Sequence, residues 1–188
     1  LNDRRVDLIE EGVDVALRIG RLQDSSYVAK KLFDVHAVVC AAPHYLKAHD
    51  SITSPQDLHK HRCLVYSNLA EPNRWMYRES DGSERSLVVE PALRASSGDF
   101  LANAAAQGMG IVIQPTFIAS EAIRRGALVP ILTDYVWPTT PAYAIYPPTR
   151  HLSYRVRAFI DFLVERFAGI PSWDRDCDTI TAEASLAI

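Results

Sequence analysis

The residues best suited to chemistry are Ser96, Ser97, Gly98 and Asp99, which lie within LRASSGDFLANAAAQGMGIVIQP. This segment is typical of a strand, a short polar loop, a helix, a glycine and a second strand. A loop between a strand end and a helix start offers hydroxyls and free backbone N–H groups to a polar guest. Open α/β sheets bind ligands at such strand ends. The pattern predicts a ligand-binding site and not a catalytic one.

Catalytic and metal-binding patterns do not occur in the sequence. Neither CxxC nor HExxH is found, and no serine lies in a GxSxG turn. The glycines of GMGIVI lie between a helix and a strand, the reverse of the order in a dinucleotide fingerprint. Surface or helix-capping positions are predicted for five of the histidines: His44, His49, His59, His61 and His151. We therefore expect no metal, no cofactor and no enzymatic activity.

A helix, a glycine and a strand follow one another three times. The glycines are Gly12, Gly108 and Gly126, and the strands begin at Val13, near Ile111 and at Ala127. Repetition of this unit predicts an α/β architecture. The first strand is predicted over 13–19, and the uninterrupted apolar run at 111–113 predicts a strand covered on both faces, as in a parallel sheet.

The remaining elements follow from apolar patterns, turn residues and caps. Short helices are predicted at Pro43 and at Ser54, and Ser153 caps a longer amphipathic helix that ends by Gly169 and Pro171. The last residues, 172–188, have no clear periodicity and are predicted to form a loose or partly helical tail. The predicted extended segments are 27–33, 35–42, 63–66, a hairpin of 75–79 with 84–90, and 142–146.

Composition restricts the class of protein. With 188 residues, 48% hydrophobic and 23% charged, the chain can bury a core as one domain or as two small lobes. A net charge of −3 makes the segment a poor nucleic-acid binder. There is no apolar run long enough to cross a membrane. The widely separated Cys40, Cys63 and Cys177 favour a reduced, cytoplasmic setting, and the absence of an initiator Met predicts an internal fragment.

Four blocks in order make the chain recognisable. They are DRRVDLIEEGVDVALRIG, VAKKLFDVHAVVCAAPHYL, LRASSGDFLANAAAQGMGIVIQP and YAIYPPTRHLSYRVRAFIDFLVERF. In this order and spacing they resemble the effector-binding domain of LysR-type transcriptional regulators, over about residues 1–168. The last residues lie outside the resemblance.

The resemblance implies an α/β fold of two lobes of the type 2 periplasmic-binding-protein kind. Mixed sheets with helices on both faces would be joined by two crossing hinge strands, near Ala41 and Ala42 and near Tyr146 and Pro147. Lobe I would be 1–41 plus 147–168, lobe II 42–146, and 169–188 a C-terminal tail. The first strand and helix of lobe I and the winged helix-turn-helix would lie outside this segment.

The resemblance also implies an effector site formed by loops of both lobes. Arg18 could pair with a carboxylate or be a surface residue at a strand end. Ser97 and Asp99 could bind a ligand or cap the helix, Asn68 could bind or form a turn, and Trp75 could line the site or belong to the core. The implied site residues are Asn2, Asp3, Arg18, Ile19, Gly20, Ser67, Asn68, Ser96, Ser97, Gly98, Asp99 and Tyr146.

The function expected from the resemblance is that of a small-molecule effector-binding and oligomerisation domain. The parent protein would be a cytoplasmic, homodimeric or homotetrameric regulator that contacts DNA only through the segment outside this chain and does not contact a membrane. The alternative is a solute-binding protein of the same fold with no DNA-binding function. A secretion signal upstream of Leu1 would distinguish the alternative.

Overall fold

A computed structural model of the protein describes residues 13–20, 27–148 and 153–175. Predictions that involve Asn2, Asp3, Gly12, His151 and Cys177 lie outside the described residues. The chain divides into two compact units. Unit 1 takes its described residues from Leu1–Val35 and Thr139–Pro171, and unit 2 takes them from His36–Pro138 and Ser172–Ile188.

The described part of the chain contains both strands and helices, with four consecutive strands, β3 to β6, between the 3-10 helix and α2. The strands are β1 Ala16–Ile19, β2 Val28–Ala41, β3 Cys63–Tyr66, β4 Arg74–Arg78, β5 Glu84–Val88, β6 Pro91–Ala95, β7 Ile111–Pro115, β8 Val129–Pro130 and β9 Thr139–Tyr146. The helices are α1 Pro43–Ala48, α2 Gly98–Ala106, α3 Thr116–Arg124, α4 Tyr154–Arg166 and α5 Ser172–Arg175, with a 3-10 helix at Pro55–Lys60.

Unit 2 contains a mixed sheet in the order β2, β7, β3, β6, with β8 paired to β2. Strand β3 runs parallel to both β6 and β7, whereas β2 runs antiparallel to β7. Ile111 belongs to the apolar cluster on one face of this sheet and Val112 to the cluster on the other. The prediction of a strand covered on both faces is confirmed, but the sheet is mixed and not parallel throughout, since β7 has the parallel neighbour β3 on one side and the antiparallel neighbour β2 on the other.

Each face of this sheet has its own cover. Helices α2 and α3 pack on one face through small and branched residues such as Leu101, Ala105 and Ala119. On the other face lie α1, the 3-10 helix and the β4–β5 hairpin, which contribute Tyr45, Leu58, Trp75 and Tyr77. Trp137, from the segment between β8 and β9, joins the same cluster. Trp75 is 3% exposed, so it is a core residue of the hairpin.

Helix α2 begins and ends as its sequence predicts. The Ser97 hydroxyl accepts a hydrogen bond from the backbone N–H of Phe100 at 3.3 Å, which satisfies one of the unpaired donors of the first turn. Gly108, at a φ of +78°, takes the left-handed conformation after the helix. A side chain there would also lie 2.2 Å from Nε2 of His44, so His44 packs against the bare backbone.

Unit 1 contains β1, paired antiparallel with β9, and β9 lies between β1 and β2 in the strand order. Helix α4 packs Val156 and Ile160 against Ala144 of β9. Its predicted cap is confirmed, since the Ser153 hydroxyl accepts from the N–H of Val156 at 3.3 Å.

Several predicted elements differ from the structure. The runs 27–33 and 35–42 form one strand, β2, because Asp34 between them pairs with Lys31 at 2.8 Å and does not interrupt the extended backbone. The strand predicted to begin at Ala127 is the two-residue β8, which pairs antiparallel with β2. The two units divide at Val35 and Pro138. The lobe boundaries near Ala42 and Tyr146 stay a prediction.

His61 was predicted at a surface or helix-capping position. It is the C-cap of the 3-10 helix, and it is only 8% exposed because the buried Tyr45 packs beside it. The tail was predicted to be loose or partly helical; its described part contains the helix α5, in which Asp174 is fully buried. Both residues depend on contacts with distant parts of the chain. Within the described residues, no helix is long and apolar enough to cross a membrane.

Candidate ligand site

Three neighbouring strands of unit 2 end at the same edge of the sheet, because β3, β6 and β7 are parallel. We call this the strand-end edge; it comprises Ser67, Asn68, Ser96, Ser97, Gln114 and Pro115. The N–H of Ser67 donates to the carbonyl of Ala95 at 2.9 Å, so the loops after β3 and β6 start side by side. Ligands of open α/β sheets bind at this kind of edge.

Helix α2 starts at the strand-end edge and directs its first backbone N–H groups there. The sequence left open whether Ser97 and Asp99 bind or cap. Ser97 is the N-cap, whereas Asp99 lies in the first turn, where its charge complements the helix dipole. Asp99 is therefore not the N-cap of α2, and its prediction as a cap is corrected. Ser96 is exposed and Gly98 is buried.

Gln114 lies directly below the start of α2 and was not singled out from the sequence. It is 2% exposed. A Cβ built on Gly98 would lie 3.0 Å from Oε1 of Gln114 and 2.7 Å from Cδ1 of Ile118, so only the bare backbone of Gly98 covers the amide. Within the described residues, Nε2 of Gln114 is buried and has no hydrogen-bond partner. The available signal was a polar residue at the end of the apolar run GIVIQP.

Helix α5 docks beside the same edge of unit 2. Asp174 Oδ2 lies 3.2 Å from Nδ1 of His36, and the ring of Trp173 meets that of Phe117 edge to face at 6.2 Å. Thr116 donates its hydroxyl to the carbonyl of His36 at 3.3 Å. Residue 37 pairs with residue 115 in the sheet, which places His36 next to the end of β7.

The predicted site residues of unit 1 lie on the β1–β9 ladder. Arg18 and Ile19 pair with Tyr143 and Ala142, and the N–H of Gly20 donates to the carbonyl of residue 141 at 3.1 Å. Tyr146 lies at the other end of this ladder, beyond the pair of Ala16 and Ile145, and packs against the α4 core. The structure therefore does not bring Tyr146 next to Gly20.

The polar groups described at the strand-end edge are hydroxyls, a side-chain amide and helix N–H groups. Groups of these kinds orient polar ligands in binding sites. No group of three or more His, Cys, Asp or Glu residues that could hold a metal occurs in the described part of the chain. Burial raises the pKa of the Cys63 thiol to about 12, so this cysteine is not a thiolate nucleophile at neutral pH.

One surface groove of unit 2 lies elsewhere. It has a volume of about 280 Å³ and is open to solvent. Its lining comes from the loop before β4, from the start of β4, from β5 and from β6: Glu71, Pro72, Asn73, Arg74, Val88 and Arg94. None of these residues belongs to the strand-end edge.

Comparison with known proteins identifies the family. The profile of the LysR substrate binding domain matches residues 1–168. The chain belongs to the LysR substrate-binding domain family. It is 34% identical over 187 residues to an HTH-type transcriptional repressor of Pseudomonas aeruginosa, covering 99% of this chain and 59% of the repressor. It is 36% identical over 161 residues to the HTH-type transcriptional regulator CrgA of Neisseria meningitidis, covering 85% of this chain and 53% of CrgA.

Solved structures agree with the LysR assignment. The CrgA regulatory domain from Neisseria meningitidis matches with a TM-score of 0.76 at 35% identity, covering 85% of this chain and 78% of that one. Full-length AphB, a virulence activator of Vibrio cholerae, matches with a TM-score of 0.75 at 29% identity, covering 87% of this chain and 55% of AphB. The predicted family and fold class are confirmed. The chain spans little more than half the length of these full-length regulators.

Proposed function

We propose that this chain is the effector-binding part of a bacterial LysR-type transcriptional regulator. The observation that carries the proposal is the strand-end edge of unit 2, where three parallel strands and the start of α2 present polar groups. The family and the polar groups at this edge both support recognition of a small molecule.

The effector contacts that we propose in unit 2 come from two adjacent loops. Ser67 and Asn68 follow β3, and Ser96 precedes the cap of α2. The side-chain N–H of Asn68 lies 3.4 Å from the hydroxyl of Tyr66, a long contact that a ligand can replace. The hydroxyl of Ser97 already accepts a bond from Phe100, but its proton remains available as a donor.

In unit 1, the predicted contacts at Arg18, Ile19 and Gly20 remain part of the proposal. A guanidinium at the end of β1 fits a carboxylate with two parallel hydrogen bonds. Replacing Arg18 with Lys keeps the charge and removes this bidentate geometry. We expect weaker binding of carboxylate effectors in Arg18→Lys and no change for uncharged ones.

The partners of the whole protein follow from its relatives. We propose that it contacts DNA through residues other than these 188, acts as a homodimer or homotetramer, and works in the cytoplasm. The relatives named above carry helix-turn-helix designations, and this chain has a net charge of −3, which does not favour a phosphate backbone. Ligand occupancy would be transmitted to the DNA-binding part as a shift between conformations.

A thermal-shift screen of small organic molecules on the intact protein tests the proposed site. A true effector raises the melting temperature in proportion to its affinity and concentration. We expect Asn68→Ala and Ser96→Ala to weaken binding by about tenfold, as expected for the loss of one hydrogen bond in a desolvated site. Ser80→Ala, in the turn between β4 and β5, is the matched control and should bind normally. Equal affinity in all three variants would remove the site from the strand-end edge.

A further inference from the structure

Gln114 has a polar group in a position that otherwise suits an apolar side chain. It is the fourth residue of β7, on the same face as Val112, which belongs to the apolar cluster under α2 and α3. Its partner across the sheet, Val38, is 1% exposed and belongs to the same cluster. A leucine or methionine would fill this space without a polar atom.

The amide of Gln114 is costly for the free protein. Its Nε2 is buried and has no hydrogen-bond partner in the part of the chain that the structure describes. An unpaired buried donor loses its bonds to water and gains nothing in return. Two other polar groups nearby have partners: the Ser97 hydroxyl accepts from Phe100, and the Thr116 hydroxyl donates to His36. Gln114 is not the only buried side chain with an unpaired atom, since Oδ1 of Asp174 and Nε2 of His61 also have no partner among the described residues. Each such atom needs a reason of its own.

The position of Gln114 supplies that reason. Its Oε1 lies against Gly98, the first residue of α2, where any side chain would collide with it. The last torsion of glutamine is broad and nearly two-fold, so a half-turn exchanges the two amide atoms. That half-turn would bring Nε2 to the start of α2, below the loop of Ser96 and Ser97. In that orientation Nε2 of Gln114 and the first backbone N–H groups of α2 are donors at the same place.

We propose that Gln114 is the specificity-determining residue of the effector site and donates a hydrogen bond to an acceptor oxygen of the effector. This inference rests on the proposed function and names the ligand chemistry: a small molecule with a carboxylate or an amide carbonyl at the end that enters the strand-end edge. Helix N–H groups and a side-chain amide are all donors, and they converge on one acceptor group. An ammonium group at this end of the ligand is disfavoured, because the positive end of the α2 dipole repels a cation.

The test uses the intact protein, with Gln114→Leu, Gln114→Glu and the control Gln107→Leu, which removes an exposed amide after the last turn of α2. Without ligand, Gln114→Leu should melt about 2 to 4 °C higher, because it removes the unpaired donor. Gln107→Leu should melt as the parent does. A lower melting temperature for Gln114→Leu would mean that the amide stabilises the fold, and would overturn the inference without using any ligand.

The second arm uses four probes: benzoate, benzamide, succinate and benzylamine. We expect at least one acceptor-bearing probe to bind the parent and to lose about tenfold in affinity in Gln114→Leu. Gln114→Glu distinguishes carboxylate ligands from amide ligands. The introduced carboxylate repels a ligand carboxylate, whereas its oxygens accept a hydrogen bond from the N–H of a primary amide. Binding that needs Ser96 and Asn68 but not Gln114 would leave the proposed function intact and refute this inference. Binding of benzylamine alone, or of no acceptor-bearing probe, would refute the ligand class.

Discussion

The parallel strands of unit 2 have two edges that differ in how exposed their polar groups are. At the strand-end edge, Ser67, Ser96 and Ser97 are exposed beside the start of α2. At the opposite edge, where β3 and β7 begin, the buried Tyr45 hydroxyl accepts from the N–H of Arg62 at 3.0 Å and lies 3.3 Å from Nδ1 of the buried His61. We call the second region the strand-start edge. Each edge has one buried nitrogen with no hydrogen-bond partner among the described residues, Nε2 of Gln114 and Nε2 of His61.

The difference between the edges separates folding from recognition. The strand-start edge is closed by backbone packing, since the N–H of Ile111 donates to the carbonyl of Arg62 at 2.8 Å and Gly110 lies against the same carbonyl. Changes there should act on stability and leave affinity intact. Changes at the strand-end edge should act on affinity with smaller costs in stability. Each prediction below tests this division.

The largest effect is expected for Gly110→Ala. A Cβ at this position would lie 2.2 Å from the backbone oxygen of Arg62, which cannot move without breaking its bond to Ile111. We expect a loss of about 3 kcal/mol or more in the free energy of unfolding, measured by urea denaturation of the intact protein. Gly126→Ala, with a φ of +67° and open space around it, should cost only about 1 kcal/mol. Equal losses in the two variants would contradict the steric argument.

Tyr45→Phe should have the next largest effect. It keeps the ring stacked on His49 at 4.0 Å but removes the hydroxyl that accepts from the backbone N–H of Arg62. Loss of one such part-buried hydrogen bond costs about 1 kcal/mol. The midpoint of urea denaturation should fall accordingly, while effector affinity of the folded protein stays unchanged. A parallel loss of affinity would show that the two edges are not independent.

The strand-start edge should also make stability depend on pH. Burial, reinforced by the neighbouring His49, lowers the pKa of His61 below its usual 6.5, against the smaller opposite effects of Asp50 and Asp57. The unfolded chain therefore takes up a proton at a higher pH than the folded chain does. The stability is complete above pH 6.5 and is lost as pH falls from there towards the lowered pKa, by at most about 1.4 kcal/mol per pH unit.

His61→Gln checks this dependence. The variant should flatten the fall in melting temperature between pH 7.5 and pH 5.5, two conditions that bracket the usual histidine pKa. Asp57 does not interfere, because hydrogen bonds from the backbone N–H groups of Thr53 and Ser54 lower its pKa to about 2. An unchanged pH profile in His61→Gln would assign the dependence to another group.

The smallest effect is expected for Ser97→Ala at the strand-end edge. The loss of the cap on Phe100 should reduce stability by about 1 kcal/mol. If the hydroxyl proton also reaches the effector, affinity should fall in addition, and a titration of the folded protein separates the two results. Ser153→Ala, which removes the matching cap on Val156 of α4, is the control for capping alone. Unchanged affinity in Ser97→Ala would leave Ser97 as a cap only.

Sequence signals were sufficient where they were local. The cap at Ser97, the glycine after α2 and the apolar run of β7 each act within a few residues, and together they predict the segment that forms the strand-end edge. Helix α4 was predicted for the same reason, from Ser153 and the spacing of its apolar residues. Family resemblance added the order of the elements and the two-lobed class, which periodicity alone did not provide.

Distant contacts were beyond the reach of local signals. The burial of His61 depends on Tyr45 in another helix, and that of Gln114 depends on Gly98 and on Ile118 of α3. A histidine after a helix and a glutamine at a strand end both look like surface residues in the sequence. The docking of α5 was missed for the same reason, because Asp174 contacts His36, which lies 138 residues earlier in the chain.

The docking of α5 has a practical consequence for protein engineers who exchange sensor domains between regulators. The family profile ends at residue 168, and a chimera joined there would combine α3 and His36 of one parent with the tail of another. The buried carboxylate of Asp174 and the ring of Trp173 would then be replaced by side chains selected for a different surface. A fusion point after residue 175 keeps the tail with the lobe on which it packs. Biosensors assembled from this chain should therefore keep α5 together with the strand-end edge of unit 2.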